Sequence, residues 1–114
     1  MSIRADRLMP PTPENTPGLF LEHFDLSPAS GECDPSLVYP AALQAARDTA
    51  TFLASSFRSY SDGQIPSTMD NFVRRNIRSF PTYILFRDGV ELGRTSMLVL
   101  SAEPLIAWAS KLLE

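Results

Sequence analysis

Two short apolar runs meeting at an Asp-Gly step constrain this chain more than any other feature. Thr82 to Phe86 (Thr-Tyr-Ile-Leu-Phe) is β-branched and aromatic, Arg87-Asp88-Gly89 is a tight-turn sequence, and Val90 to Thr95 returns. Asp and Gly tolerate the positive φ angles that a two-residue hairpin turn needs, so this stretch predicts two antiparallel strands. What precedes the hairpin has to supply further strands, because an isolated hairpin is barely stable in water.

The rest of the chain provides them. Leu19 to Asp25 (Leu-Phe-Leu-Glu-His-Phe-Asp) is short and apolar and suits a strand. Leu26 to Ser36 reads as a loop holding Cys33. Leu37 to Phe57 reads as a helix, with Leu43, Ala46, Ala50 and Leu53 as its buried stripe and Pro40 near its start. Phe57 to Tyr60 reads as a third strand, ended by the turn Ser61-Asp62-Gly63. Ser67 to Asn76 predicts a short helix, capped by Ser67 or Thr68, with Asp70 in its first turn and Arg74 and Arg75 in its last. After the hairpin, Leu105, Trp108, Ala109, Leu112 and Leu113 form one helical stripe, with Ser101 as cap and Pro104 in the first turn. The predicted order is β-α-β-α-β-β-α, an α/β domain with a mixed sheet and helices on both faces.

Residues 1–18 stand apart from this pattern. Pro10, Pro11, Pro13 and Pro17 fix φ and remove donors, so the segment is expected to be an extended arm ahead of a domain spanning residues 19–114. Such an arm serves either as a plain tail or as a strap across a partner. Thr12-Pro13 and Thr16-Pro17 also have the form of proline-directed phosphorylation sites.

Composition excludes several function classes. A net charge of −3 and a single lysine, Lys111, give no basic run for nucleic acid or an anionic membrane. No run approaches the roughly 18 apolar residues a membrane helix needs. Arg4, Asp6 and Arg7 interrupt any secretory signal, so an intracellular, reducing compartment is expected, cytoplasm or organelle matrix. One histidine cannot build a His-rich metal site, and neither a metal nor another cofactor is expected. One cysteine forbids an intrachain disulfide.

The segment Asn76 to Gly89, with Phe80-Pro81-Thr82 opening the hairpin, resembles the latter half of thioredoxins, and Val90 to Arg94 and Leu100 to Glu103 continue the match to the C-terminus. The resemblance implies a cis-proline at Pro81. It also implies that Leu19 to Phe24 is the strand leading to the family's redox site, with Pro40 matching a kink proline in the helix that follows. The family's first strand and helix have no counterpart here, so the expected architecture is a trimmed thioredoxin-like fold.

The redox pair is missing. Disulfide exchange requires a thiolate and a resolving thiol one helical turn away. The corresponding loop reads Ser30-Gly31-Glu32-Cys33-Asp34, the spacing of a Cys-x-x-Cys whose first cysteine is serine. Glu32 and Asp34 disfavour a thiolate at Cys33 by like-charge repulsion. No catalytic residue is therefore expected, with Cys33 the sole alternative, acting as a monothiol by mixed disulfide or glutathionylation. Glu22 falls where thioredoxins bury an acid; with no dithiol to serve, it is expected to face solvent. His23 is expected to be structural.

The resemblance and the missing dithiol together imply a redox-inactive binding module, a structural or adaptor subunit of a larger protein assembly. A peptide-binding chaperone is the other non-redox alternative. The expected binding residues are Phe80, Pro81 and Thr82 of the peptide-facing loop and the basic cluster Arg74, Arg75 and Arg78. Met97 joins them because it stands where the family has a glycine. Arg74 and Arg78, four residues apart, would share a helix face if the helix ran on from Asn76 to Arg78.

Overall fold

The computed structural model describes residues 11–26, 35–62 and 72–114. A 3-10 turn at Pro13–Asn15 precedes β1 (Leu19–Leu26). Then follow α1 (Pro35–Leu53), β2 (Ser56–Asp62), β3 (Thr82–Arg87), β4 (Val90–Thr95) and α2 (Glu103–Leu112). Residues 72–74 form a further helical turn. The sheet runs β2-β1-β3-β4. β1 pairs parallel with β2 and antiparallel with β3, and β3 pairs antiparallel with β4. This is the mixed α/β architecture expected from the sequence. The first ten residues, the loop bearing Cys33 and the start of the helix expected from Ser67 lie outside the described residues.

β1 is central, and every residue from Phe20 to Asp25 is buried. Its alternation sorts side chains onto two faces. Leu21 joins Tyr83 and Leu85 against Ala45, Ala46 and Ala50 of α1 and Leu105 and Ala109 of α2. Phe20 and Phe24 join Ile84 and Phe86 against Tyr60 and Phe72 on the opposite face. Small residues on α1 let it lie close to the sheet, while Trp108 of α2 packs from the rim of that core as the helical stripe predicts.

The hairpin closes as expected, with Asp88 at φ 51° and Gly89 at φ 84°, and a bulge between Leu85 and Phe86 shifts its register. Several boundaries differ from the sequence reading: β1 runs on to Leu26, α1 starts at Pro35 instead of Leu37, and β2 continues through Ser61 and Asp62, where a turn was expected. α1 stops at Leu53 instead of Phe57, because Ala54 turns left-handed at φ 54° and the Ser55 N–H donates to the Ala50 carbonyl at 2.8 Å. The residues thus released lengthen β2 at its start. α2 starts from Ala102 with no side-chain cap, so Ser101 is not the cap, while Pro104 does sit in the first turn.

Residues 11–18 do not stand clear of the sheet. Pro13 is fully buried, and the Thr12 N–H donates to Asn15 Oδ1 at 2.8 Å. The Gly18 N–H donates to Asp88 Oδ1 at 2.7 Å, and the Asp88 N–H donates back to the Gly18 carbonyl at 2.9 Å. The turn of the hairpin thereby holds the segment that leads into β1.

Candidate functional site

The Phe80–Pro81 bond is cis, and its surroundings are fixed by a chain of hydroxyls. Thr82 Oγ1 donates to the Ser79 carbonyl at 2.6 Å, and Ser96 Oγ donates to the Pro81 carbonyl at 2.9 Å. The Ser96 proton is thereby committed, so Ser79 donates across the 2.7 Å contact between the two serine oxygens. This ties the start of β3 to the residue following β4. Beside it lies an open cleft of about 350 Å³, lined in part by Ile77, Arg78, Ser79, Thr82, Arg94 and Ser96. Phe80, in the same loop, is 38% exposed, its ring 5.5 Å from that of Phe72. Leu98 and Leu100 are exposed in the segment between β4 and α2. Met97, half-buried, packs partly on the α1–α2 core.

The three arginines do not form one patch. Residues 72–74 are helical, but Asn76 takes φ 57° and breaks the helix before Arg78, so Arg74 and Arg78 do not share a helix face. Arg78 is exposed on the cleft. Arg74 lies 3.8 Å from Glu14. Arg75 is nearly buried and serves the interior. Its Nε donates to Glu22 Oε1 at 2.8 Å and its Nη1 to Glu14 Oε2 at 3.0 Å, with the guanidinium 4.8 Å over the Phe86 ring. Arg94 adds a bond to the Arg75 carbonyl at 2.8 Å while gripping Glu91 with two nitrogens.

Glu22, expected in solvent, is fully buried. It lies on the face of β1 opposite α1, the face that Phe20 and Phe24 share, where Tyr60 Oη also donates to it at 3.3 Å. Burial pushes its carboxyl up, against the pull of Arg75 hydrogen bonding and charge. Burial acts on Arg75 in the direction of deprotonation, but its bonds to Glu22 and Glu14 outweigh that and leave it raised. Burial and the neighbouring Glu22 charge push the Tyr60 phenol up to about 12. On Glu14 burial also acts upward, but the Arg75 hydrogen bond leads a set of opposing effects that hold the carboxyl low. The cluster is thus one fixed cation between two carboxylates. It joins the 11–18 segment, β1, β2 and the turn before Pro81.

On the α1 face of β1 lie two buried titratable groups, His23, fully buried, and Asp25. The His23 Nδ1 lies 2.8 Å from Ser59 Oγ, its Nε2 3.4 Å from Asp25 Oδ2, and its ring stacks on Tyr83 with centroids 5.2 Å apart. His23 thus lies on the α1 side of the sheet with Leu21, and Glu22 on the other side with Phe20 and Phe24. The strict alternation of β1, with Leu21 and His23 on one face, is the sequence signal that could have found it. Cys33, with Glu32 and Asp34, lies outside the described residues. Among the described residues no cluster of three potential metal ligands occurs, and no helix is long and apolar enough to cross a membrane.

No protein-family model matches the chain, and no curated protein matches it in sequence. Solved structures do. The thioredoxin of Fasciola hepatica superposes with a TM-score of 0.62 at 16% identity, covering 96% of this chain and 92% of its own. Thioredoxin f2 of Chlamydomonas reinhardtii gives 0.59 at 18% identity, covering 86% and 82%. A thioredoxin f2 in complex with ferredoxin:thioredoxin reductase gives 0.62 at 14%, covering 85% and 79%. The chain has a thioredoxin-like fold.

Proposed function

We propose that this chain is a redox-inactive binding module, a structural or adaptor subunit that recognises a protein partner through the rim of its Pro81 loop. The observation that carries the reading is the open cleft of about 350 Å³ lined by Ser79 and Thr82 on either side of Pro81, with Arg78 on its wall and Phe80 exposed in the same loop. Phe80 offers apolar area and Arg78 a bidentate cation, a combination enriched where proteins bind proteins. The single cysteine supports the same reading, since one thiol cannot complete a dithiol cycle within the chain. That a thioredoxin f2 of similar fold is found docked on a reductase gives precedent for protein partnering by this architecture. Arg75 contributes by holding the turn that precedes the loop, while Arg78 makes the contact.

The test is recovery of partners from native extract by the tagged chain, by its Phe80→Ala/Arg78→Glu variant and by Cys33→Ser. The reading expects one discrete partner set, at least ten-fold depleted with the double variant and unchanged with Cys33→Ser. Equal recovery by the double variant overturns the surface. Partners held by reducible bonds and lost with Cys33→Ser favour the monothiol alternative, and a broad, unselective set favours the chaperone.

A further inference from the structure

Two threonine–proline steps stand in the segment ahead of β1, and the fold treats them differently. Thr12 opens the 3-10 turn, its N–H is held by Asn15 Oδ1, and the Pro13 that follows it is fully buried. Thr16 lies just past that turn in extended backbone, at φ −126° and ψ 116°. The two residues after it, Pro17 and Gly18, are exposed. The Thr16 hydroxyl sits at the surface, donating to Asn15 Oδ1 at 3.1 Å. It belongs to an open recess lined by Glu14, Asn15, Thr16, Pro17 and Asp88. A kinase that requires proline after its target hydroxyl reads extended backbone with an accessible proline ring, and Thr16-Pro17 meets both conditions while Thr12-Pro13 meets neither.

We propose that Thr16 is a phosphorylation site and that its phosphate unclasps residues 11–18 from the β3–β4 hairpin. The step is transfer of the γ-phosphoryl group of ATP. A bond forms between phosphorus and Thr16 Oγ1, the bond from phosphorus to the β–γ bridging oxygen breaks, ADP leaves, and the hydroxyl proton passes to the catalytic base of the kinase. The product carries about two negative charges and has lost the proton that Asn15 Oδ1 accepted. The recess already holds two carboxylates, Glu14 and Asp88, and among the described residues no arginine or lysine lines it. A phosphate placed beside acidic side chains disrupts by like-charge repulsion. Asp88 is also the clasp itself, taking the Gly18 N–H at 2.7 Å and returning its own N–H to the Gly18 carbonyl at 2.9 Å. The turn of the hairpin abuts the segment closely, since a Cβ at Gly89 would come within 3.5 Å of the Pro13 carbonyl oxygen. Moving the segment off Asp88 and Gly89 relieves the repulsion. Glu14 rides on the same segment, so its pair with Arg75 opens in the same movement and leaves that arginine to Glu22.

The test is incubation of the intact folded chain with a purified proline-directed serine/threonine kinase and magnesium ATP. Intact mass, fragment mapping of the phosphate and amide hydrogen exchange provide the readouts. One phosphate per chain on Thr16 is expected, lost in Thr16→Val and retained in Thr12→Val. In the phosphorylated chain the Gly18 and Asp88 amides, the two donors of the clasp, are expected to exchange about ten-fold faster or more, with the central amides of β1 and β3 unchanged. A chain that takes no phosphate on Thr16, or takes one on Thr12 as readily, overturns the site. Phosphorylated chain whose Gly18 and Asp88 amides exchange at the same rate or more slowly overturns the unclasping, since the phosphate is then accommodated in place.

Discussion

Replacing Arg75 by leucine tests the internal electrostatics most sharply. The substitution leaves Glu22, which has no exposed surface, with Tyr60 as its remaining donor among the described residues. Breaking a buried pair by removing one partner costs about 3–5 kcal/mol, because the other charge stays buried and uncompensated. Unfolding entropy for 114 residues is about 0.24 kcal/mol/K, so the melting temperature falls by about 12–20 °C. The loss depends on pH in a definite direction. Without the guanidinium, burial raises the Glu22 carboxyl further above its unfolded value of about 4.5. An acid with a raised folded pKa contributes stability at low pH that is lost as pH rises through that folded pKa. The deficit of the variant relative to wild type is therefore smaller at about pH 5 than at pH 8. The double variant Arg75→Leu/Glu22→Leu removes both charges and recovers most of the loss. Urea titrations of the four proteins at both pH values provide the assay. A single variant within about 1 kcal/mol of wild type, or a double variant whose loss equals the sum of the singles, refutes the account.

Glu14 is half exposed, so Glu14→Gln costs at most about 1 kcal/mol, and urea titration at pH 7 checks this. Glu14 and Glu91 both have lowered pKa values, so the stability they contribute is present above about pH 4.5 and lost as pH falls through their folded values; equilibrium unfolding between pH 7 and pH 3 checks this, with Glu14→Gln and Glu91→Gln flattening the loss. Leu105→Ala empties a fully buried site facing α1 and is expected to cost about 2–5 kcal/mol in the same assay. Gly89→Ala puts a side chain at φ 84°, in the hairpin turn, and is expected to cost at least about 1 kcal/mol by thermal melting.

The fold was legible where local chemistry and tertiary structure agree. Asp88-Gly89 sets its own turn, and the stripe from Leu105 to Leu113 marks its own helix. Legibility failed where tertiary packing decides. Ala54-Ser55-Ser56 contains no glycine or proline, yet the chain leaves α1 there to enter β2. Arg74, Arg75 and Arg78 look alike in sequence; one faces a half-exposed acid, one is nearly buried against Glu22, and one lines the cleft. The left-handed turn at Asn76 separates them, and spacing alone does not show it. The burial of Glu22 was hidden because its partner, Arg75, is 53 residues away. Met97, a bulky residue at an expected surface, also packs in part on the α1–α2 core, which its position in the sequence does not show.

The central claim is binding without thiol chemistry, and one measurement addresses it directly. Once a partner is recovered, its affinity is measured by titration calorimetry under reducing conditions for the intact chain and for Cys33→Ser. The account predicts affinities equal within about two-fold and no disulfide-linked complex when the reductant is withdrawn. A loss of ten-fold or more in Cys33→Ser, or a covalent complex through Cys33, would contradict it.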